Sequence, residues 1–95
     1  MLIRIVKIHL LTDQISAFKM LFYAAQPEIL KFEGCISVEL MRNPDHFDQY
    51  FTFSKWTDEE SLNQYRNSEF FITTWRKTKL LFAEKAIAFS MVNLN

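Results

Sequence analysis

One glycine in 95 residues leaves no material for a glycine-rich phosphate loop. The dinucleotide fingerprint and the P-loop both need several glycines to bring backbone N–H groups against phosphate. Flavin, nicotinamide and nucleotide binding by those routes is therefore set aside. One cysteine, Cys35, cannot close an internal disulfide, and a reducing compartment is its simplest setting. Two histidines and that cysteine are widely scattered and show no metal-ligand spacing, so no metal is expected. Eleven basic residues balance eleven acidic ones, which argues against a generally basic nucleic-acid binder. No apolar run approaches the roughly 20 residues needed to cross a bilayer. The opening MLIRIVKIHL alternates and carries Arg4 and Lys7, so it reads as a strand and not as a signal peptide. These absences leave the expectation of a cytoplasmic protein with no membrane or nucleic-acid partner.

Apolar and aromatic side chains are what the chain has in abundance. Hydrophobic residues make up 49% and aromatics 16%, with ten Phe. The length predicts a single domain over residues 1–95. A chain this size buries only about 60–68% of its unfolded surface, so a partner that adds burial would matter to it. A net charge of zero points the same way, toward apolar patches covered in an oligomer.

Periodicity orders the chain. Alternation predicts a strand over 2–10. Thr12 or Asp13 then caps a helix whose apolar stripe is Ile15, Phe18, Phe22, Ala25, Ile29 and Phe32. Pro27 inside that stripe predicts a kink or break near Gln26, and Gly34 supplies the stop. Strands follow over 35–41 and 49–56, joined by the Asn-Pro-Asp chemistry of a hairpin loop. Thr57 and Glu60 spell a capping box for a helix over 58–66, and Ser68 opens a second over 69–83. Residues 86–92 form a last strand with Ile87, Phe89 and Met91 on one side. The order β-α-β-β-(αα)-β is the ferredoxin-like α+β plait, an antiparallel sheet with helices on one face. Large apolar groups occupy both faces of the first strand, so the uncovered face calls for a second copy: a homodimer with facing sheets.

The F-E-G-C at 32–35, with Trp56, Leu62, Tyr65, Ser68 and Phe71 in W-x5-L-x2-Y-x2-S-x2-F, resembles the antibiotic biosynthesis monooxygenase domain of the dimeric α/β-barrel superfamily. The likeness covers nearly the whole chain. It implies a pocket between sheet and helices in each protomer. It also implies cofactor-independent oxygenation of an electron-rich aromatic, a hydroquinone or a polyketide-like compound. Haem-degrading relatives use an Asn, a Trp and an axial His where this chain has Lys7, Tyr65 and Trp75. A Trp has no lone pair for iron, so haem degradation is not expected. Polyketide oxygenases of the group use an Asn and a Tyr on either side of the strand-end Trp; here those positions hold Thr52 and Leu62.

Lys7 and His9 lie two apart and share one face of the first strand. If that face meets the helices, they are the candidate bases, a buried Lys with a lowered pKa or a His titrating near neutrality. Otherwise His9 sits in solvent at the strand end and Lys7 snorkels outward. Phe22, Trp56, Tyr65, Phe71 and Trp75 are the candidate substrate-binding residues, with core packing as the plainer role. Trp56 could also offer its indole N–H to a substrate oxygen. His46 reads as a turn residue and Cys35 as a small packing thiol. The alternative to an enzyme is a non-catalytic dimer that binds a small apolar ligand or serves as a structural module.

Overall fold

A computed structural model describes residues 1–94 of the chain. Strand β1 spans Leu2–His9, helix α1 Ile15–Ile29, strand β2 Cys35–Arg42, strand β3 Gln49–Trp56, helix α2 Glu59–Arg66, helix α3 Glu69–Lys79 and strand β4 Ile87–Val92. The strands form one antiparallel sheet in the order β2-β3-β1-β4. This is the ferredoxin-like α+β arrangement that the element order predicts.

Register decides which side chains meet the helices. β1 pairs with β3 so that Leu2 faces Trp56, Arg4 faces Ser54, Val6 faces Thr52 and Ile8 faces Tyr50. Directly paired residues point to the same side, and alternation along the strand sends their neighbours to the other. Ile8, Tyr50, Ser54 and Trp56 are buried, so the even-numbered positions of β1 and β3 meet the helices. Two apolar clusters fill that side. One gathers Leu2, Phe22, Ala25, Ile29, Val38, Trp56 and Leu62; the other gathers Ile8, Leu10, Phe18 and Tyr50. The opposite face carries Ile3, Ile5, Phe51 and Phe53, with Phe89 and Met91 of β4 44% exposed and Ile87 57%.

Gly34 has φ of +84°, the left-handed conformation that only glycine adopts cheaply. Its carbonyl accepts a hydrogen bond from Thr57 N at 2.8 Å, tying the exit of α1 to the turn between β3 and α2. Four local expectations are corrected. Residues 12–14 form a short 3₁₀ turn with no side-chain cap, because Gln14 N bonds back to Leu11 O. Helix α1 runs unbroken through Pro27 to Ile29: the proline removes a single donor and stands in the last turn, where little helix follows it. The cap of α2 is Asp58, which accepts from Ser61 N at 2.8 Å, and not the Thr57/Glu60 box. Helix α3 ends at Lys79, short of residue 83: Leu81 O accepts from Leu11 N, Ala83 N donates to His9 O, and Phe82 bridges Leu10. Burying Leu81 and Phe82 against Ile8, Leu10 and Tyr50 outweighs another helical turn. Ser68 caps α3 as expected, accepting from Phe71 N at 3.1 Å.

Candidate functional site

Between the helix-facing side of the sheet and the three helices lies a cavity of about 120 Å³, partly open to solvent. β1 contributes Arg4, Val6 and Ile8 to its wall, and β3 contributes Thr52, Ser54 and Trp56. Helix α1 adds Phe18 and Phe22, α2 adds Tyr65 and Arg66, and α3 adds Phe71, Thr74, Trp75 and Thr78. The five residues expected to bind an aromatic, Phe22, Trp56, Tyr65, Phe71 and Trp75, are all brought to this one wall.

Four of them form a continuous aromatic run. Trp56 stacks on Tyr65 with centroids 5.2 Å apart, Tyr65 meets Phe71 edge-on at 5.1 Å, and Phe71 stacks on Trp75 at 5.8 Å. Trp75 in turn meets Phe82 edge-on at 5.5 Å, so the run is anchored in the segment after α3. The stop at Asn67 and the restart at Ser68 produce this alignment by turning α3 until Phe71 and Trp75, four residues apart, share the face next to Tyr65.

Trp56 is 1% exposed, and its indole N–H donates to Ser54 Oγ at 3.0 Å. That N–H is already used within the protein, so Trp56 serves as wall and core anchor rather than as a donor to a ligand. Burial, with a smaller contribution from Cys35, pushes the Tyr65 phenol far above its ordinary value, so it stays protonated. Burial also raises the Cys35 thiol, which leaves it a poor nucleophile.

Lys7 and His9 do not face the cavity, and the expectation that they supply its base is corrected here. They occupy the odd phase of β1, opposite Phe51 and Gln49, on the face away from the helices. His9 instead bonds Asp48 Oδ2 through Nε2 at 2.9 Å and Glu84 Oε1 through Nδ1 at 3.3 Å. The hydrogen bond to Asp48 is the main reason its pKa is raised, with Glu84 assisting. This cluster latches the end of β1 to the β3 entry and to the segment before β4. Among the described residues, no Asp, Glu, His or Lys lines the cavity, and no group of three or more His, Cys, Asp or Glu could hold a metal ion.

Arg4 and Arg66 are the ionisable wall residues that sequence reasoning passed over. Arg4 carried only a weak signal, its phase with the apolar Leu2, Val6 and Ile8, which becomes readable once pairing with Trp56 and Tyr50 fixes that phase as the buried one. Arg66 carried none, because a cation in the last turn of a helix is ordinary.

A model of the antibiotic biosynthesis monooxygenase family matches residues 1–77. No curated protein matches the chain. Among solved structures, a conserved protein from Methanosarcina mazei Go1 is 23% identical, with 95% of this chain and 90% of that one covered at a TM-score of 0.89. An antibiotic biosynthesis monooxygenase is 14% identical, with both chains covered over 100% at a TM-score of 0.91. SnoaB from Streptomyces nogalater, a cofactor-independent oxygenase crystallised as an N63A mutant, is 13% identical, with 99% and 93% covered at a TM-score of 0.88. At these identities the structural likeness is one of fold.

Proposed function

The chain belongs to the antibiotic biosynthesis monooxygenase family, and from that premise we propose that it is a cofactor-independent monooxygenase acting on a small electron-rich aromatic. One observation carries the reading: a partly open cavity lined by a run of four aromatic rings, between sheet and helices. SnoaB, which shares the fold, is a cofactor-independent oxygenase.

The volume narrows the substrate. An apolar cavity of about 150 Å³ takes up benzene, so about 120 Å³ suits one ring, with any further substituent at the open side. A hydroquinone fits better than a fused polyketide. The reaction balances without an outside reductant: hydroquinone and O₂ give hydroxyquinone and water. One oxygen atom enters the ring, the other leaves as water, and the ring supplies all the electrons. The protein's part is to orient the ring against the aromatic wall and keep the reacting anion from bulk water. Among the described residues the wall holds no carboxylate or imidazole, so the substrate's proton leaves to solvent at the open side. The two guanidiniums make the cavity's field favourable to the anion.

The apolar outer face of the sheet supports a homodimer. Ile5, Phe53, Phe89 and Met91 lie on it, and burying about 800 Å² per partner would be an ordinary interface. No helix among the described residues is long and apolar enough to cross a membrane. With the half-buried free thiol of Cys35, a cytoplasmic setting is the reading we adopt.

A second reading, a non-catalytic module that binds a small aromatic, is favoured by the missing general base in the cavity. Oxygen uptake separates the two. The enzyme reading expects consumption above autoxidation with one-ring hydroquinones, declining for anthrones, and incorporation of one ¹⁸O atom from ¹⁸O₂. Binding of the same rings without uptake would leave the module reading in its place.

A further inference from the structure

We propose that Arg4 and Arg66 form an oxyanion-binding subsite in the cavity, and that the ligand it takes is a small aromatic ring bearing a carboxylate. This narrows the substrate class of the proposed function and rests on the cavity being an aromatic-binding site.

Arg4 stands where the fold asks for an apolar side chain. It is half-buried on the helix-facing side of β1, in phase with Leu2, Val6 and Ile8. Among the described residues its side chain makes one hydrogen bond, from Nη1 to Ser90 Oγ at 3.0 Å, which occupies one of five guanidinium donors. The ion pairs of the described residues join His9 to Asp48 and Glu84 and Lys31 to Glu28, and none involves Arg4 or Arg66. A partly desolvated guanidinium without a carboxylate carries a cost, and the exposed Arg66 guanidinium adds a repulsion that solvent screens in part. Burial first, and Arg66 second, hold the Arg4 guanidinium below its ordinary value. A helix-end cation explains Arg66 by itself, but it does not explain why Arg66 shares a wall with Arg4 that contains no acid. An anion between them would turn both costs into attraction.

The ring and the anion are selected together. The aromatic wall offers stacking, and the guanidinium fork matches the planar pair of oxygens of a carboxylate. A carboxylic acid is already ionised in neutral water, whereas a phenol near pKa 10 must first lose its proton to solvent. The carboxylate is therefore the anion this site can take without chemistry.

The test uses the whole chain, with benzoate, its neutral counterpart benzamide and inorganic phosphate as probes, by calorimetry or tryptophan quenching. Benzoate should bind about ten-fold more tightly than benzamide, the scale of one charge-assisted hydrogen-bond pair. The preference should vanish in Arg4→Gln/Arg66→Gln, shrink in the exposed single variant Arg66→Gln, and survive only in part in Arg4→Lys, which keeps charge without the fork. Equal binding of benzoate and benzamide would overturn the proposal, as would an undiminished preference in a folded double variant or displacement of benzoate by equimolar phosphate. Oxygen uptake with an uncharged hydroquinone on the same proteins separates the two ideas. Uptake without benzoate preference removes the subsite and leaves the oxygenase, whereas an arginine-dependent preference without uptake does the reverse.

Discussion

Replacing Gly34 with alanine should be among the most damaging single-methyl changes in this chain, and the structure gives its size. The φ of +84° forces a Cβ-bearing residue into the left-handed region, at about 1–2 kcal/mol. The new methyl would also collide with the Ser61 side chain and lie 2.8 Å from Thr57 Oγ1. Ser61 cannot withdraw freely, because its N–H is the one that Asp58 caps at 2.8 Å. Disturbing that cap costs about 1 kcal/mol. Together these give a loss of about 2–4 kcal/mol, or roughly 10–25 °C in melting temperature for a domain of this length. Urea unfolding monitored by the two tryptophans measures it. Removing the obstacle in Gly34→Ala/Ser61→Gly should recover about 1 kcal/mol relative to the sum of the single changes, leaving the backbone cost in place. A Gly34→Ala protein within about 0.5 kcal/mol of the parent, or strictly additive single changes, would refute the close approach of these two turns.

Stability should also depend on pH through the latch at His9. Its folded pKa is raised by Asp48, then Glu84, so the stabilisation is fully present below the unfolded value near 6.5 and is lost as pH rises through the folded value. The melting-temperature gap between the parent and His9→Gln should therefore be largest below the unfolded value and shrink as pH rises past it; a gap that widens with pH contradicts the assignment. Asp58→Ala should cost about 1 kcal/mol in urea unfolding, whereas Glu60→Ala should stay within about 0.5 kcal/mol, the reverse of what a Thr57/Glu60 box requires. Trp75→Ala, at a half-buried cavity position, should weaken binding of a one-ring aromatic by about five- to ten-fold, read by calorimetry, through lost stacking. An unchanged affinity in the folded variant would place the ligand elsewhere.

The fold was legible because several signals agreed. The alternation of β1, the single Gly34 at a left-handed stop, and the Ser68 cap all point to one arrangement, and each is found where expected. The aromatic wall was legible for a similar reason, since the spacing from Trp56 to Phe71 carries the family resemblance. The phase of β1 was not. Ile3 and Ile5 are as apolar as Leu2 and Val6, so β1 alone does not say whether Arg4 or Lys7 meets the helices. The partner strand decides it, because Trp56 and Tyr50 are too large to leave the core and register carries Arg4 inward with them. Lys7 and His9 looked chemically richer, yet chemistry at a position counts only after its direction is known. The end of α3 was misjudged for a different reason. Leu80 to Phe82 continue a helical pattern, but a tertiary bridge from Phe82 to Leu10 brings Leu81 and Phe82 against the second core cluster instead.

We place oxygen chemistry on a small aromatic ring in the cavity beneath the helices. The most direct measurement compares oxygen uptake with a one-ring hydroquinone in three proteins: the parent, Thr74→Trp, which fills the cavity from α3, and Lys7→Ala/His9→Ala, which changes only the opposite face. Uptake is expected in the parent, with near-complete loss in the filled variant and parent-like rates in the Lys7/His9 variant. Uptake that survives the filling, or that depends on Lys7 and His9, would contradict this placement.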